Sequence, residues 1–154
     1  MKLLVLRVGK PTERWADEAI GHWSKRLRKH GGLEQDWVKH EAYRGDVDAV
    51  RHAESERLLK RIGPRDVLVA VDERGQTPDS IAFSSLIEEH RNHSTYRMVF
   101  ALGGAYGHSP ELRRRANMSL SLSSFVLNHE VARVVLVEQI YRTFTIIDGT
   151  PYHH

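Results

Sequence analysis

Two stretches of this chain are apolar almost without a break: Val67-Leu68-Val69-Ala70-Val71, bounded by Asp66 and Asp72, and Met98-Val99-Phe100-Ala101-Leu102. Short runs of this kind fit strands covered on both faces, and such strands belong to parallel sheets made of strand–helix–strand units. The surrounding segments supply the alternation that such a sheet needs. Lys2–Val8 is a strand, stopped by Gly9-Lys10-Pro11. Thr12 then caps a helix whose face is marked by Trp15, Ala19, Trp23 and Leu27, ended by Gly31-Gly32. Residues 33–42 form a partly exposed strand and 48–62 a helix. Residues 66–72 are a buried central strand, and 73–76 a loop. Thr77-Pro78 starts a helix that ends near His93, and 96–102 is the next buried strand. Ser109-Pro110 opens a short helix, and 120–122 is a brief strand. Asn128 caps a last helix running to about Ile146, with Glu130 in its first turn. The expected fold is therefore α/β, a mostly parallel five-stranded sheet with helices on both faces. At 154 residues, without linker or repeat, the expectation is a single domain spanning 1–154.

Composition removes several classes of function. There are no cysteines, so disulfides, thiolate zinc sites, iron–sulfur clusters and a cysteine nucleophile are excluded. The longest apolar runs are too short for a membrane span, and Arg7 interrupts the apolar start, so the expectation is a cytoplasmic protein with no membrane partner. Net charge is only +3, but it is unevenly placed: residues 1–63 hold 14 Lys and Arg against 10 Asp and Glu. Two basic clusters, Lys25-Arg26-Leu27-Arg28-Lys29 and Arg113-Arg114-Arg115, suit either RNA phosphates or solvated helix faces.

In parallel sheets ligands bind at the carboxyl ends of the strands. Three such ends are unusual here: Val71-Asp72, Gly103-Gly104 and Leu122-Ser123-Ser124. The Gly103-Gly104-Ala105-Tyr106-Gly107 turn is not G-x-G-x-x-G and lacks the Gly-Lys-Ser/Thr of a P-loop, which disfavours dinucleotide and P-loop sites. Gly107-His108-Ser109 lacks the closing glycine of a nucleophile elbow. His129-Glu130-Val131-Ala132-Arg133 has arginine where a zinc protease has its second histidine, and His90 with His93 lacks a third ligand, so no metal is expected. The last helix is apolar nearly all round (Val131, Val134, Val135, Leu136, Val137, Ile140, Tyr141, Phe144), so a second copy of the chain is expected to cover part of it.

Taken together, Leu102-Gly103-Gly104-Ala105-Tyr106-Gly107-His108-Ser109, Ser119-Leu120-Ser121-Leu122-Ser123, His129, the helix Arg133-Val134-Val135-Leu136-Val137-Glu138-Gln139-Ile140-Tyr141-Arg142 and the end Pro151-Tyr152-His153 resemble one family along the whole chain. This is the RlmH family, the pseudouridine N3-methyltransferases of bacterial large-subunit (23S) ribosomal RNA, of the SPOUT class.

The resemblance implies a C-terminal trefoil knot, a homodimer, S-adenosylmethionine as cofactor without a metal, and the large ribosomal subunit or the 70S ribosome as partner. The cofactor positions it implies are Val71, Gly103, Leu122, Ser123, Ser124, Phe125, Val126 and Leu127. The catalytic, substrate-side positions are Arg142, Tyr152 and His153. On chemical grounds His153 or His129 is the candidate proton acceptor, and the Tyr152 ring offers a stacking face for an unpaired base. Two departures stand out. Asn128 replaces a proline common in the family, and Glu130 adds a carboxylate expected near the cationic sulfonium. They motivate an alternative, a non-catalytic RNA-binding dimer of the same fold.

Overall fold

Alternate residues of the strands face opposite sides of one five-stranded sheet, and each side is covered by helices. The computed structural model describes residues 1–154. In chain order the elements are β1 (Lys2–Val8), α1 (Arg14–Leu27), β2 (Leu33–Val38), α2 (Val47–Leu59), β3 (Asp66–Gln76), α3 (Ser80–Asn92), β4 (Arg97–Leu102), α4 (Pro110–Arg115), β5 (Met118–Leu120) and α5 (His129–Ile147). The sheet order is β2-β1-β4-β3-β5, and every pairing is parallel. Leu3 and Val5 of β1, with Val69, Met98 and Phe100, face the side where α5 lies against both α1 and α3. Leu4, Leu6 and Val8, with Leu68, Ala70, Val99 and Ala101, face the side of α2 and α4. The two apolar runs are thus β3 and β4, at the sheet's interior.

Local chemistry sets the helix starts, with two shifts from expectation. Asp46 accepts from the Asp48 and Ala49 N–H groups, Ser109 from Leu112 N–H and Asn128 from Glu130 N–H. α1 begins after Glu13, which makes no side-chain cap, rather than at Thr12, and Asp79 rather than Thr77 caps α3 by accepting from Ala82 N–H at 2.7 Å. The buried face of α1 is Ala16, Ile20 and Leu27 with Trp23 beside them; Trp15 is exposed. A strict four-residue stripe drifts around a helix of 3.6 residues per turn, so the 4-3-4 stripe is the one the core selects.

Residues 73–76, expected as a loop, continue β3. After Val71 pairs with Leu120 the strand bulges out and rejoins at Gln76, which pairs with Leu120 again; Ser121 N–H donates to Gln76 O at 2.7 Å. At Gly75 a Cβ would come within 2.6 Å of the Ser119 backbone, so only glycine admits this approach. The bulge leaves Glu73 and Arg74 exposed at the carboxyl end of the sheet, while Asp72 stays buried. β5 correspondingly ends at Leu120, and Leu122 is in the following loop. The sheet, α1 and α3 cover most of α5 within the one chain. Of its apolar residues, Val131 is exposed and Val135 half-buried outside both core clusters, one turn apart.

Candidate active site

The carboxyl ends of β3 and β4 and the loop after β5 enclose a cleft of about 290 Å³. Val71, Gly103, Leu122, Ser123, Phe125, Val126 and Leu127 all line it. Ser124, expected with them, is in the same loop but not in the wall. His129, the alternative proton acceptor, is also in the wall, together with residues given no role from sequence: Asp72, Glu73 and Arg74 of the bulge, Tyr106 and Gly107 of the glycine turn, and Ala132 of α5. The turn closes through Gly107 N–H donating to Gly104 O at 3.1 Å, with Gly107 at φ +75°, a conformation glycine adopts without strain.

Backbone polarity in this cleft is available to a ligand. Between Leu122 and Leu127 one N–H is bonded within the chain, that of Phe125, which donates to Ser123 Oγ at 2.9 Å. Unpaired N–H groups beside apolar Leu122 and Leu127 match a flat heterocycle that needs both edge hydrogen bonds and an apolar face. Phe125 and Val126 are 80% and 83% exposed, which a monomeric soluble surface rarely tolerates side by side.

His108 holds the cleft floor. It is buried, and its Nε2–H donates to both Val71 O and Ala101 O at 3.1 Å. It thereby joins the ends of β3 and β4. Two carbonyl acceptors fix the proton on Nε2; Nδ1 is buried without a partner. Burial lowers the His108 pKa, opposed by the Asp72 carboxylate and the two carbonyls. Asp72 accepts from Arg74 and from Arg113 Nε at 3.1 Å. Burial alone would raise its pKa, but the Arg74 backbone and side-chain hydrogen bonds outweigh it and hold the carboxyl below its usual value.

Glu130 does not face the cleft. It is buried, with Oε1 2.5 Å from Arg7 Nη1 and Oε2 2.9 Å from Arg133 Nη2; Arg133 in turn donates to Asp17 Oδ1 at 2.5 Å. The expected extra charge beside a sulfonium is therefore the counter-ion of two buried arginines. Asn128 caps α5, which is an ordinary substitute for a proline at a helix start. Both motives for a catalytically silent protein fall away.

Arg142, Tyr152 and His153 come together, but elsewhere. Glu138 Oε1 accepts from Arg142 Nη2 at 2.7 Å and from the Tyr152 hydroxyl at 2.9 Å, and Trp23 Nε1–H donates to the Tyr152 oxygen at 3.2 Å. The Arg142 guanidinium is 4.7 Å from the Tyr152 ring centroid, and the Tyr141 ring meets it edge-on at 4.9 Å. The expected stacking face of Tyr152 is thus engaged within the chain, and Tyr152 acts as a strut. Burial and then the neighbouring carboxylate push its phenol up, so it stays a neutral donor. Arg142 Nη1 lies 3.4 Å from His153 Nδ1; arginine only donates, so this contact favours the tautomer with the proton on Nε2. Glu138 and Trp23, which organise this cluster, carried no sequence signal beyond the V-x-V-x-E-Q helix. Arg142 is thirteen residues along α5 from His129, about 20 Å at the helical rise. Within one chain, the cleft and the tail cluster lie at opposite ends of α5.

The basic clusters divide. Arg113 pairs with Asp72, and Arg115 donates to the carbonyls of Gly63 and Asp66, so two of the three arginines serve the fold. In the other cluster Lys29 pairs with Asp148, while Lys25 and Arg28 are exposed. No group of three or more His, Asp or Glu converges as a metal site, and no helix is long and apolar enough to cross a membrane.

This geometry has close relatives. A family model described as "Predicted SPOUT methyltransferase" matches residues 1–153. Ribosomal RNA large subunit methyltransferase H of Trichlorobacter lovleyi is 42% identical over 154 residues, covering 100% of both chains. The protein of the same name from Geobacter sulfurreducens is also 42% identical over 154 residues, again with 100% of both chains covered. Among solved structures, a methylase family protein from Neisseria gonorrhoeae superposes with a TM-score of 0.54 at 14% identity, covering 99% of this chain and 85% of that one, and so shares the fold. The chain belongs to the SPOUT methyltransferases, in the family of ribosomal RNA large subunit methyltransferase H.

Proposed function

We propose that this enzyme methylates N3 of a pseudouridine in bacterial large-subunit ribosomal RNA, as a cytoplasmic homodimer. The observation that carries the reading is the end-to-end match to relatives bearing that enzyme name, with the cleft where the family resemblance puts its cofactor. S-adenosylmethionine, when bound, supplies an electrophilic methyl group on sulfur. The cleft's fit to it rests on the unpaired N–H groups between Leu122 and Leu127 and on the apolar wall beside them. Val71, Gly103 and the loop Leu122, Ser123, Ser124, Phe125, Val126 and Leu127 hold it, with Ser124 acting through the loop's shape.

The chain's own work is positioning and proton handling. As the bond from N3 to the methyl carbon forms, the carbon–sulfur bond breaks and the N3 proton leaves to a base. His129 is the imidazole in the cleft wall. His153 can take the same role only by releasing Arg142 from Nδ1. Arg142 offsets negative charge on a flanking carbonyl oxygen as the ring ionises. Glu138 and Tyr152 hold Arg142 in place.

The separation of cleft and tail supports a composite site. A two-fold dimer with antiparallel α5 helices brings one chain's Arg142, Tyr152 and His153 to its partner's cleft. Exposed Phe125, Val126 and Val131 are the surface available for that contact. A C-terminal trefoil knot belongs to the same proposal: the loop leaves the β5 edge and α5 returns to lie between α1 and α3. The test is transfer of labelled methyl from S-adenosylmethionine to ribosomes lacking this modification, with the product mapped by mass spectrometry. One new methyl on a pseudouridine is expected; labelling of another nucleotide, or none, overturns the reading.

A further inference from the structure

The cleft has a second rim that the donor-binding reading does not use. Tyr106, in its wall, is 37% exposed, and beside it the Tyr43 ring is 58% exposed. Their centroids are 6.0 Å apart with the planes at 46°. Tyr43 belongs to the loop between β2 and α2, and Tyr106 to the glycine turn after β4. Arg51 of α2 anchors the Tyr106 turn, its Nε donating to Tyr106 O at 2.9 Å and its Nη1 to Asp48 of the same helix at 2.8 Å. Two aromatic rings are thus held side by side in water at the edge of the cleft, outside both core clusters.

On the Tyr43 loop the free charge has one sign. Lys39 and Arg44, on the Tyr43 loop, are exposed and lie in no ion pair. The acids of that loop are already engaged, Glu41 with Arg57 and Asp46 as the cap of α2, and Asp48 in the first turn of α2 pairs with Arg51. Aromatic faces flanked by free cations fit an unpaired nucleotide, whose base stacks while its phosphates meet the charges.

We propose that Tyr43 and Tyr106 form a stacking platform for an unpaired RNA nucleotide next to the methylated one, with Lys39 and Arg44 on the adjoining phosphates. This rests on the RNA-methyltransferase reading above. Stacking tolerates any base, so the platform selects single-stranded RNA rather than a sequence.

The experiment measures binding of a labelled oligouridine to the full-length protein, S-adenosylmethionine affinity by calorimetry, and methyl transfer to ribosomes. Tyr43→Ala is expected to weaken oligouridine binding about tenfold, as is typical of one lost base stack. Tyr43→Phe keeps the ring and should bind as the wild type does. Lys39→Gln with Arg44→Gln should reduce the salt slope by about 1.4, the value for two single-strand phosphate contacts. None of the three variants should move cofactor affinity. Oligouridine binding by Tyr43→Ala within about twofold of wild type overturns the platform, since a lost stack exceeds that. So does a Tyr106→Ala variant that loses cofactor affinity and keeps RNA binding, which assigns Tyr106 to the donor. Wild-type protein that binds oligouridine yet methylates no ribosome overturns the functional reading and leaves the platform standing.

Discussion

His108 and Glu130 are single residues on which the cleft and its flank depend, and each makes a separate prediction. Burial keeps the His108 imidazole neutral in the fold, with its pKa below the ordinary value, while the unfolded chain takes up a proton near pH 6.5. The unfolded state therefore binds more protons in the window below pH 6.5. The stability that His108 contributes is fully present above that pH and is lost as pH falls through the lowered folded value. His30, also lowered by burial, adds in the same direction. Chemical denaturation should show stability declining from pH 7.5 to 5.5, and His108→Gln should flatten part of that decline; an unchanged pH slope in the variant removes His108 from the account. Glu130→Ala leaves Arg7 and Arg133 buried without their shared carboxylate. A buried pair broken on one side costs about 3–5 kcal/mol, so a large fall in the denaturation midpoint is expected. A loss of cofactor affinity at unchanged stability would instead place Glu130 in the donor site.

The tail is a short element whose contacts point to a role in chemistry rather than folding. α5 ends at Ile147 before the tail begins, and Tyr152 reaches back only to Trp23, Glu138, Tyr141 and Arg142. Deleting Tyr152, His153 and His154 should leave the melting temperature and cofactor affinity nearly unchanged while lowering methyl transfer at least about a hundredfold, the scale on which misplaced catalytic groups act. Full turnover by the truncated chain would make the tail passive and leave His129 as the base. Elements like this one bound what sequence could show. Apolar runs and capping residues located β3, β4, α4 and α5 closely, because local chemistry decides them. The β3 bulge was missed because residues 73–76 are polar and their pairing with β5 comes from forty-odd residues away. Trp15 was misplaced because a four-residue stripe and a 4-3-4 stripe look alike until a core chooses between them. Glu130 was misread because its partner Arg7 lies in β1, more than a hundred residues away, and spacing along α5 shows only its second partner, Arg133.

At the scale of the whole molecule, the cleft at the strand ends was legible in the sequence and its separation from the tail cluster was not. Strand ends are readable in a parallel sheet, so Val71, Gly103 and all of the 122–127 loop but Ser124 line one cleft; that Arg142 sits about 20 Å along α5 from His129 follows only once α5 is a straight helix. The proposed composite dimer makes this separation testable. Val131 and Val135 lie one turn apart on the outward side of α5, so Val135→Asp should convert a dimer of 17.7 kDa subunits into monomers by light scattering, and transfer should be lost with it. Loss of activity alone does not say whose tail serves whose cleft, and mixed dimers do. One subunit carries Leu127→Arg, which fills its cleft with charge but keeps its tail; the other has an intact cleft but lacks Tyr152, His153 and His154. Each variant alone should be inactive. If the tail completes the partner's cleft, refolding the two together restores transfer, because the truncated subunit's cleft receives the other subunit's intact tail. Two-fold symmetry leaves one working site in each mixed dimer, and mixed dimers are half of a random assortment, so about a quarter of wild-type activity is expected. If each tail serves its own cleft, no combination of these two subunits holds both halves in register, and the mixture stays as inactive as its components.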